Sequence, residues 1–483
     1  MRILFAASEV YPLAKTGGLA DVCAALPKAL AALGHEVRVV LPAYPDARAR
    51  LAAREPGLEV AELPGVALIP GRLPGAGLPV LLVEAAPWFD RPGGPYGDAW
   101  GRDWPDNAER FCGFSRAVCA IAGDRAGLGW RPDLVHCHDW QTGLVPALLS
   151  LEAARPATLF TVHNQSYLGR FDRAQFEALG LPEAWWSPEA LEFHGDFSLL
   201  KAGLVFADQL TTVSPTYARE LQGPALGCGL DGLLRHRAAD FTGILNGIDT
   251  EVWNPATDVH LAQTYDSDTA AAGKRANKLA LQAELGLTPA ERIPLLVVVS
   301  RLVEQKGIDL VAELIERWQE RPLQWALLGK GEPHWERQLR GLAAALPDRV
   351  AVRIGYDEGL AHRLEAGGDF FLMPSRFEPC GLNQMYSQRY GTIPVVHRTG
   401  GLADSVVDVF APGMGTATGL VFDVPEVAAF AVALERGLSL YRNRAAWQAL
   451  RRNAMAADFS WRRSAGAYLD VYRRALAAGG GRA

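Results

Sequence analysis

Arg301 and Lys306 are the first residues whose types and spacing suggest chemistry, in Ser300-Arg-Leu-Val-Glu-Gln-Lys-Gly307. They follow the apolar run Leu295–Val299, which reads as a strand, so both belong to a loop at a strand's carboxyl end. There they can converge on one diphosphate: arginine gives bidentate hydrogen bonds and lysine a point charge. Lysine is scarce here, at positions 15, 28, 201, 274, 278, 306 and 330, so a lysine inside a motif carries weight. Glu378 stands in Pro374-Ser-Arg-Phe-Glu-Pro-Cys-Gly-Leu382, after the expected strand Phe370–Met373. Pro379 restrains it to extended backbone, and Gly381-Leu382 opens a helix whose amides could take phosphate or sugar hydroxyls.

Lys15-Thr-Gly-Gly-Leu-Ala-Asp21 lies between the apolar run Ile3–Ala7 and a helical stretch, Leu19–Leu33. Two glycines at a strand-to-helix junction let the backbone approach an anion, beside amides that the helix start leaves unpaired. Almost the same words return as Arg398-Thr-Gly-Gly-Leu-Ala-Asp404, which suggests two similar domains, one loop in each, facing one cleft. Asp139-Trp140-Gln-Thr-Gly143 and Thr161-Val-His-Asn164 also close strands. A histidine there, taken alone, reads as a satisfied core residue, but Asp21, Asp139, His163 and Asn164 together at strand ends of one domain suggest a polar sugar pocket.

The elements that must position these groups alternate strand and helix, as in parallel α/β folds. Further strands are expected at Glu36–Leu41, Val80–Glu84, Leu134–His138, Thr158–Val162, Gln209–Val213 and Thr242–Leu245 in the first half. The second half restarts with Gln324–Leu328, Val350–Ile354 and Ile393–Val396, and is helical from Val427 to the end of Ser464–Leu476. Pro64–Pro79 reads as an irregular surface connection. Pro87–Asn107 is a lid, an acceptor loop or a packed structural loop, and the Gly-Gly-Gly tail at 479–481 is expected to fray.

At 483 residues the chain exceeds one core, and 49% apolar with 21% charged residues is a globular balance. A net charge of −6 implies no general attraction to nucleic acid or to an anionic membrane. The six cysteines are scattered, and no signal segment or membrane-length run is seen, which fits a cytoplasmic protein. His136-Cys137-His138-Asp139 has metal-ligand spelling, but no second cluster completes a set, so no metal is expected. A nicotinamide fingerprint is missing after the first strand, and the lysine-bearing phosphate loop of nucleoside triphosphatases is missing throughout.

Almost the whole chain resembles bacterial glycogen synthases and plant starch synthases, which are retaining glucosyltransferases. The motifs that carry this are Lys15–Val22, His138-Asp-Trp-Gln141, Val213-Ser-Pro-Thr-Tyr-Ala218, Asn246-Gly-Ile-Asp249, Gln305-Lys-Gly307, Pro374–Leu382 and Arg398–Asp404. The resemblance implies an α/β architecture of two Rossmann-like domains facing a central cleft, the GT-B glycosyltransferase fold. An N-terminal acceptor and catalytic domain would span 1–248 and a nucleotide-sugar domain 249–456, with 457–483 a helix crossing back to the first domain. It implies transfer of glucose from ADP-glucose to the non-reducing 4-hydroxyl of glycogen or another α-1,4-glucan, with no metal or pyridoxal phosphate.

By the same resemblance Arg301 and Lys306 neutralise the ADP leaving group, and Gly18 approaches the phosphates. Lys15 and Asp21 line the donor site. Glu378, Cys380, Gly381 and Leu382 surround glucose and diphosphate, and Thr399 with Gly400 holds phosphate. His163 belongs near the anomeric centre and 6-hydroxyl, and Asp139 near the sugar. Tyr356 is placed to stack on adenine, and Asn164 and Asn246 join the substrate-binding set.

Three positions depart from what is expected or from the wider group. Gln165-Ser-Tyr-Leu-Gly169 stands where Leu-Ala-Tyr-Gln-Gly is expected, and Ser198-Leu-Leu-Lys201 where Asn-Phe-Leu-Lys is expected. Both fall on the acceptor side. Tyr386 stands where the wider retaining group often has a second glutamate, as expected for glycogen synthases. With no obvious nucleophile beneath the sugar, the expected route is same-face attack, a leaving-phosphate oxygen taking the acceptor's proton. A UDP-glucose transferase and an inactive glucan-binding protein are the competing readings. Protein partners are unknown.

Overall fold

The computed structural model describes residues 1–409 and 414–479. The glycine tail at 479–481 falls almost wholly outside them. The chain forms two compact units, one of Met1–Gly247 with Trp461–Ala483, the other of Ile248–Ser460.

The first unit is built on β1 (Arg2–Ala6), β2 (Glu36–Pro42), β3 (Leu58–Glu59), β4 (Ala67–Arg72), β5 (Pro79–Glu84), β6 (Leu134–His138) and β7 (Ala157–Val162). A small side sheet, β8 (Arg170–Phe171), β9 (Glu192–Phe193) and β10 (Asp196–Ser198), interrupts before β11 (Gln209–Thr212) and β12 (Phe241–Gly243) return. The main sheet runs β12-β11-β7-β6-β1-β2-β5-β4-β3. Only the β3–β4 and β4–β5 pairings in it are antiparallel. Strand order reverses between β1 and β6, the switch point where loops at the carboxyl ends diverge and leave room for a ligand.

The expected surface connection Pro64–Pro79 contains strand β4, paired with β5 from Ala67↔Glu84 to Arg72↔Pro79, between irregular flanks. Pro70 and Gly71 disguised it. Gly71 is required, because a Cβ there would lie 2.6 Å from Leu51 Cγ.

The second unit holds β13 (Leu295–Val299), β14 (Gln324–Gly329), β15 (Val350–Ile354), β16 (Phe370–Met373), β17 (Ile393–His397) and β18 (Leu420–Phe422). They form one parallel sheet in the order β15-β14-β13-β16-β17-β18. Its continuous apolar strands are covered on both faces. Leu296, Val298 and Leu372 join one core cluster, and Leu295, Val297 and Phe371 the other. The order reverses between β13 and β16.

The last helix, Trp461–Gly479, packs on the first unit, as the sequence resemblance implied. Ser464 Oγ donates to the Leu245 carbonyl at 2.7 Å, and Arg474 donates to Thr242 Oγ1 at 2.8 Å. Among the described residues no helix is long and apolar enough to cross a membrane.

Candidate active site

In the first unit the loop after β1 carries Lys15, Gly18 and Asp21. Lys15 Nζ pairs with Asp21 Oδ1 at 2.7 Å and lies 5.3 Å from the Tyr11 ring centroid. The helix Gly18–Ala32 starts here from extended backbone at Gly17. Not all of the amides expected to meet an anion are available to one. Glu9, only 2% exposed, accepts from the Thr16 and Gly17 amides, from Thr16 Oγ1 at 2.6 Å and from the Tyr96 hydroxyl at 2.5 Å. A buried carboxylate of the chain itself thus anchors the loop. Tyr96, also joined to Ser8 Oγ at 2.8 Å, ties Pro87–Asn107 to the same point. Sequence reasoning missed both residues. A lone glutamate past a strand and a tyrosine in an aperiodic loop carry no local signal.

The ends of β6 and β7 bring Asp139, His163 and Asn164 together. Asp139 adopts a φ of 57°, a strained backbone that a side chain rarely takes. Its carboxylate accepts the His163 amide at 2.7 Å and also serves the Asn164 amide. Burial pushes its pKa up to about 7, against the pull of those two amides. Burial likewise pushes His163 down to about 3, so its imidazole is neutral at pH 7. His163 Nε2 lies 2.9 Å from His138 Nδ1. His136 bonds Tyr472 of the last helix at 2.9 Å and Thr161 at 2.7 Å. The residues with metal-ligand spelling are therefore engaged with protein partners.

Positions flagged on the acceptor side are built into the unit. Gln165 is fully buried and donates to the Gly227 carbonyl at 2.6 Å. Ser198 caps the helix Leu199–Phe206, and Lys201 donates to the Pro188 and Glu192 carbonyls. Asn164 Oδ1 accepts the Ser166 amide at 3.0 Å. Asn246 is buried, and its Oδ1 has no hydrogen-bond partner among the described residues.

In the second unit the loops after β13 and β16 are zipped together. The Arg376 amide donates to the Gln305 carbonyl at 2.8 Å, Gln305 Nε2 donates to the Phe377 carbonyl, and Arg376 grips Asp309 with two bonds of 2.8 and 2.7 Å. Gly307 permits the approach, with a φ of 68° and a would-be Cβ 2.2 Å from the Pro374 carbonyl oxygen. The result is a 2.5 Å pair between Lys306 Nζ and Glu378 Oε2, which Ser375 Oγ also reaches at 3.1 Å. Arg301, exposed on the same loop, donates to Gln305 Oε1 at 3.0 Å.

The loop after β17 docks on the same segment. The Gly401 amide bonds the Glu378 and Pro379 carbonyls, bringing Thr399 and Gly400 beside Glu378 and buried Cys380. Gly381 turns through a φ of 71°, with Leu382 preceding the helix Asn383–Arg389. Tyr356, two residues past the end of β15, is 80% exposed. Tyr386 stacks on Trp253 at 3.7 Å, and Trp253 also stacks on His362 at 3.9 Å, so this position serves packing.

Cationic, carboxylate and imidazole groups thus gather on loops beyond parallel strands in two α/β units. Two such units, together with the matches that follow, place the chain among glycosyltransferases of the GT-B fold. A family model described as the starch synthase catalytic domain matches residues 2–236, and one described as glycosyl transferases group 1 matches 287–453. Glycogen synthase 1 of Methylococcus capsulatus is 51% identical over 481 residues, covering 99% of this chain and 97% of that protein. Glycogen synthase of Cellvibrio japonicus is 53% identical over 476 residues, covering 97% and 98%. The catalytic domain of starch synthase IV from Arabidopsis thaliana, solved bound to ADP and acarbose, superposes with a TM-score of 0.87 at 36% identity over 99% of both chains. The chain belongs to the glycogen synthase family.

Proposed function

We propose that the chain transfers glucose from ADP-glucose to the non-reducing 4-hydroxyl of glycogen or a related α-1,4-glucan, retaining configuration and releasing ADP. The observation that carries this reading is the Lys306–Glu378 pair, with Arg301 on the same loop. It supplies a fixed cation where negative charge develops on a leaving diphosphate. Thr399, Gly400, Cys380, Gly381 and Leu382 are assigned to the glucose and diphosphate, and Tyr356 to adenine. In the first unit Lys15, Gly18 and Asp21 serve the donor, while Asp139, His163, Asn164 and Asn246 serve the sugar.

The bond from the anomeric carbon to the phosphate oxygen breaks with its electron pair going to ADP. The acceptor 4-oxygen attacks the same face and passes its proton to that phosphate oxygen. Two protein cations supply the charge that a metal would, so activity should persist in chelator. The site of action would be the cytoplasm, where nucleotide sugars are made.

The test is ADP release from ADP-glucose with and without glycogen, with UDP-glucose as competing donor. Glycogen-dependent release from ADP-glucose with lengthened chains is expected. Release from UDP-glucose alone, or glycogen binding with no release, overturns the reading. Lys306→Ala should lower kcat by about 10²–10³. A raised KM at unchanged kcat would place Lys306 in ground-state binding instead.

A further inference from the structure

His138 and His163 close adjacent strands, and one hydrogen bond of 2.9 Å joins His138 Nδ1 to His163 Nε2. One of these nitrogens must carry the proton and the other a lone pair. The two arrangements differ in what they do to the far side of His138. If His163 Nε2 donates, then His138 must hold its own proton on Nε2. That atom is fully buried and has no hydrogen-bond partner among the described residues. If His138 Nδ1 donates, Nε2 of His138 is left as a lone pair. Among buried backbone groups, orphaned N–H donors are rarer than under-satisfied acceptors, and the same preference applied to the imidazole favours the second arrangement.

Packing holds the His138 ring in this orientation. Its centroid lies 4.2 Å from that of Phe5 and 4.0 Å from that of His136. A doubly protonated ring is disfavoured as well, since burial lowers both imidazoles well below their ordinary value.

We infer that His138 locks His163 in the tautomer that carries its proton on Nδ1, which makes His163 a hydrogen-bond donor to an oxygen of the bound substrate. No hydrogen bond among the described residues uses His163 Nδ1. The acceptor would be a hydroxyl or phosphate oxygen of the sugar nucleotide, an assignment that rests on placing His163 in the sugar site. His138 is then a positioning residue: it touches no substrate and decides what His163 can offer. A histidine of the opposite tautomer would present a lone pair there and would repel a phosphate oxygen.

The experiment is ¹⁵N NMR of the full chain with labelled histidine, His163→Asn identifying the His163 signals among the ten histidines. A protonated Nδ1 and bare Nε2 on His163 across pH 6–8 are expected; a protonated Nε2 overturns the inference. Kinetics with ADP-glucose supply the second arm. Asn can place an N–H where His138 Nδ1 stands, whereas Phe keeps the bulk and loses the donor. His138→Phe should lower kcat about tenfold or more with KM changed less than about threefold, and His138→Asn should recover most of that loss. An unimpaired Phe variant, or an Asn variant as slow as Phe, overturns the inference. The two readings fail separately: the spectrum reports the tautomer whether or not ADP-glucose is turned over.

Discussion

Two loops of nearly identical sequence, Lys15–Asp21 and Arg398–Asp404, use their glycine pairs for different physical ends. At Gly17 and Gly18 an added Cβ would meet nothing within 4 Å, and neither residue has a positive φ. At Gly400 φ is 42°, and a Cβ would sit 1.9 Å from the Glu378 carbonyl oxygen; at Gly401 it would sit 2.1 Å from that of Cys380. The second pair is demanded by loop-on-loop packing that shapes the Glu378 segment. Neither close contact nor positive φ demands glycine in the first pair, and under the proposed function its use is close approach by the sugar nucleotide. A repeated motif marks equivalent places in two similar units without marking equivalent work.

The sharpest way to break this contrast is Gly401→Ala. Backbone must move to admit the methyl group, so the second unit should lose about 3 kcal/mol or more, read by urea unfolding. An unchanged midpoint would show that the second loop is as tolerant as the first. Glu9→Gln should come next. One carboxylate oxygen accepts from the Thr16 and Tyr96 hydroxyls and the other from the Thr16 and Gly17 amides; glutamine puts an NH2 in place of one acceptor, so the first unit should lose about 2 kcal/mol and the KM for ADP-glucose should rise. If KM holds while stability falls, the anchored loop is not part of the donor site.

Gly18→Ala inverts the pattern of Gly401→Ala. Stability should stay within about 0.5 kcal/mol while kcat/KM for ADP-glucose drops about tenfold. Equal losses of stability at both loops would erase the distinction.

The smallest effect is a pH slope in the first unit. Burial lowers the pKa of His136, His138 and His163, so below about 6.5 the unfolded chain binds protons that the folded chain refuses. Stability from this source is present above that pH and is lost as pH falls toward 3. Asp139 acts oppositely: its folded carboxyl keeps its proton to about 7, so its contribution declines as pH rises from 3.8 to 7. The difference between wild type and His136→Asn isolates one histidine. The variant should show a shallower fall in thermal midpoint between pH 7 and 5, and an identical slope would contradict its neutral burial.

Much of the fold was legible because parallel strands buried on both faces must be continuous apolar runs. Leu295–Val299 and Phe370–Met373 announce themselves in this way, and the groups just past them fall on loops. β4 was not legible. It carries Pro70 and Gly71, and its pairing partner alone makes it a strand.

The sequence by itself determined which chemical groups stand at strand ends: Lys15, Asp139, His163, Arg301, Lys306 and Glu378 follow from runs a few residues long. Tertiary structure decided how those groups are held. Glu9 meets a tyrosine 87 positions away, and Lys306 a glutamate 72 positions away. The second contact comes from strand order, with β13 beside β16, and the first from the loop after β5 reaching past β2 to the loop after β1, so residues remote in the chain are joined. Whether a carboxylate is buried or a glycine indispensable depends on what the neighbouring loop places against it. Local pattern carries no record of that neighbour.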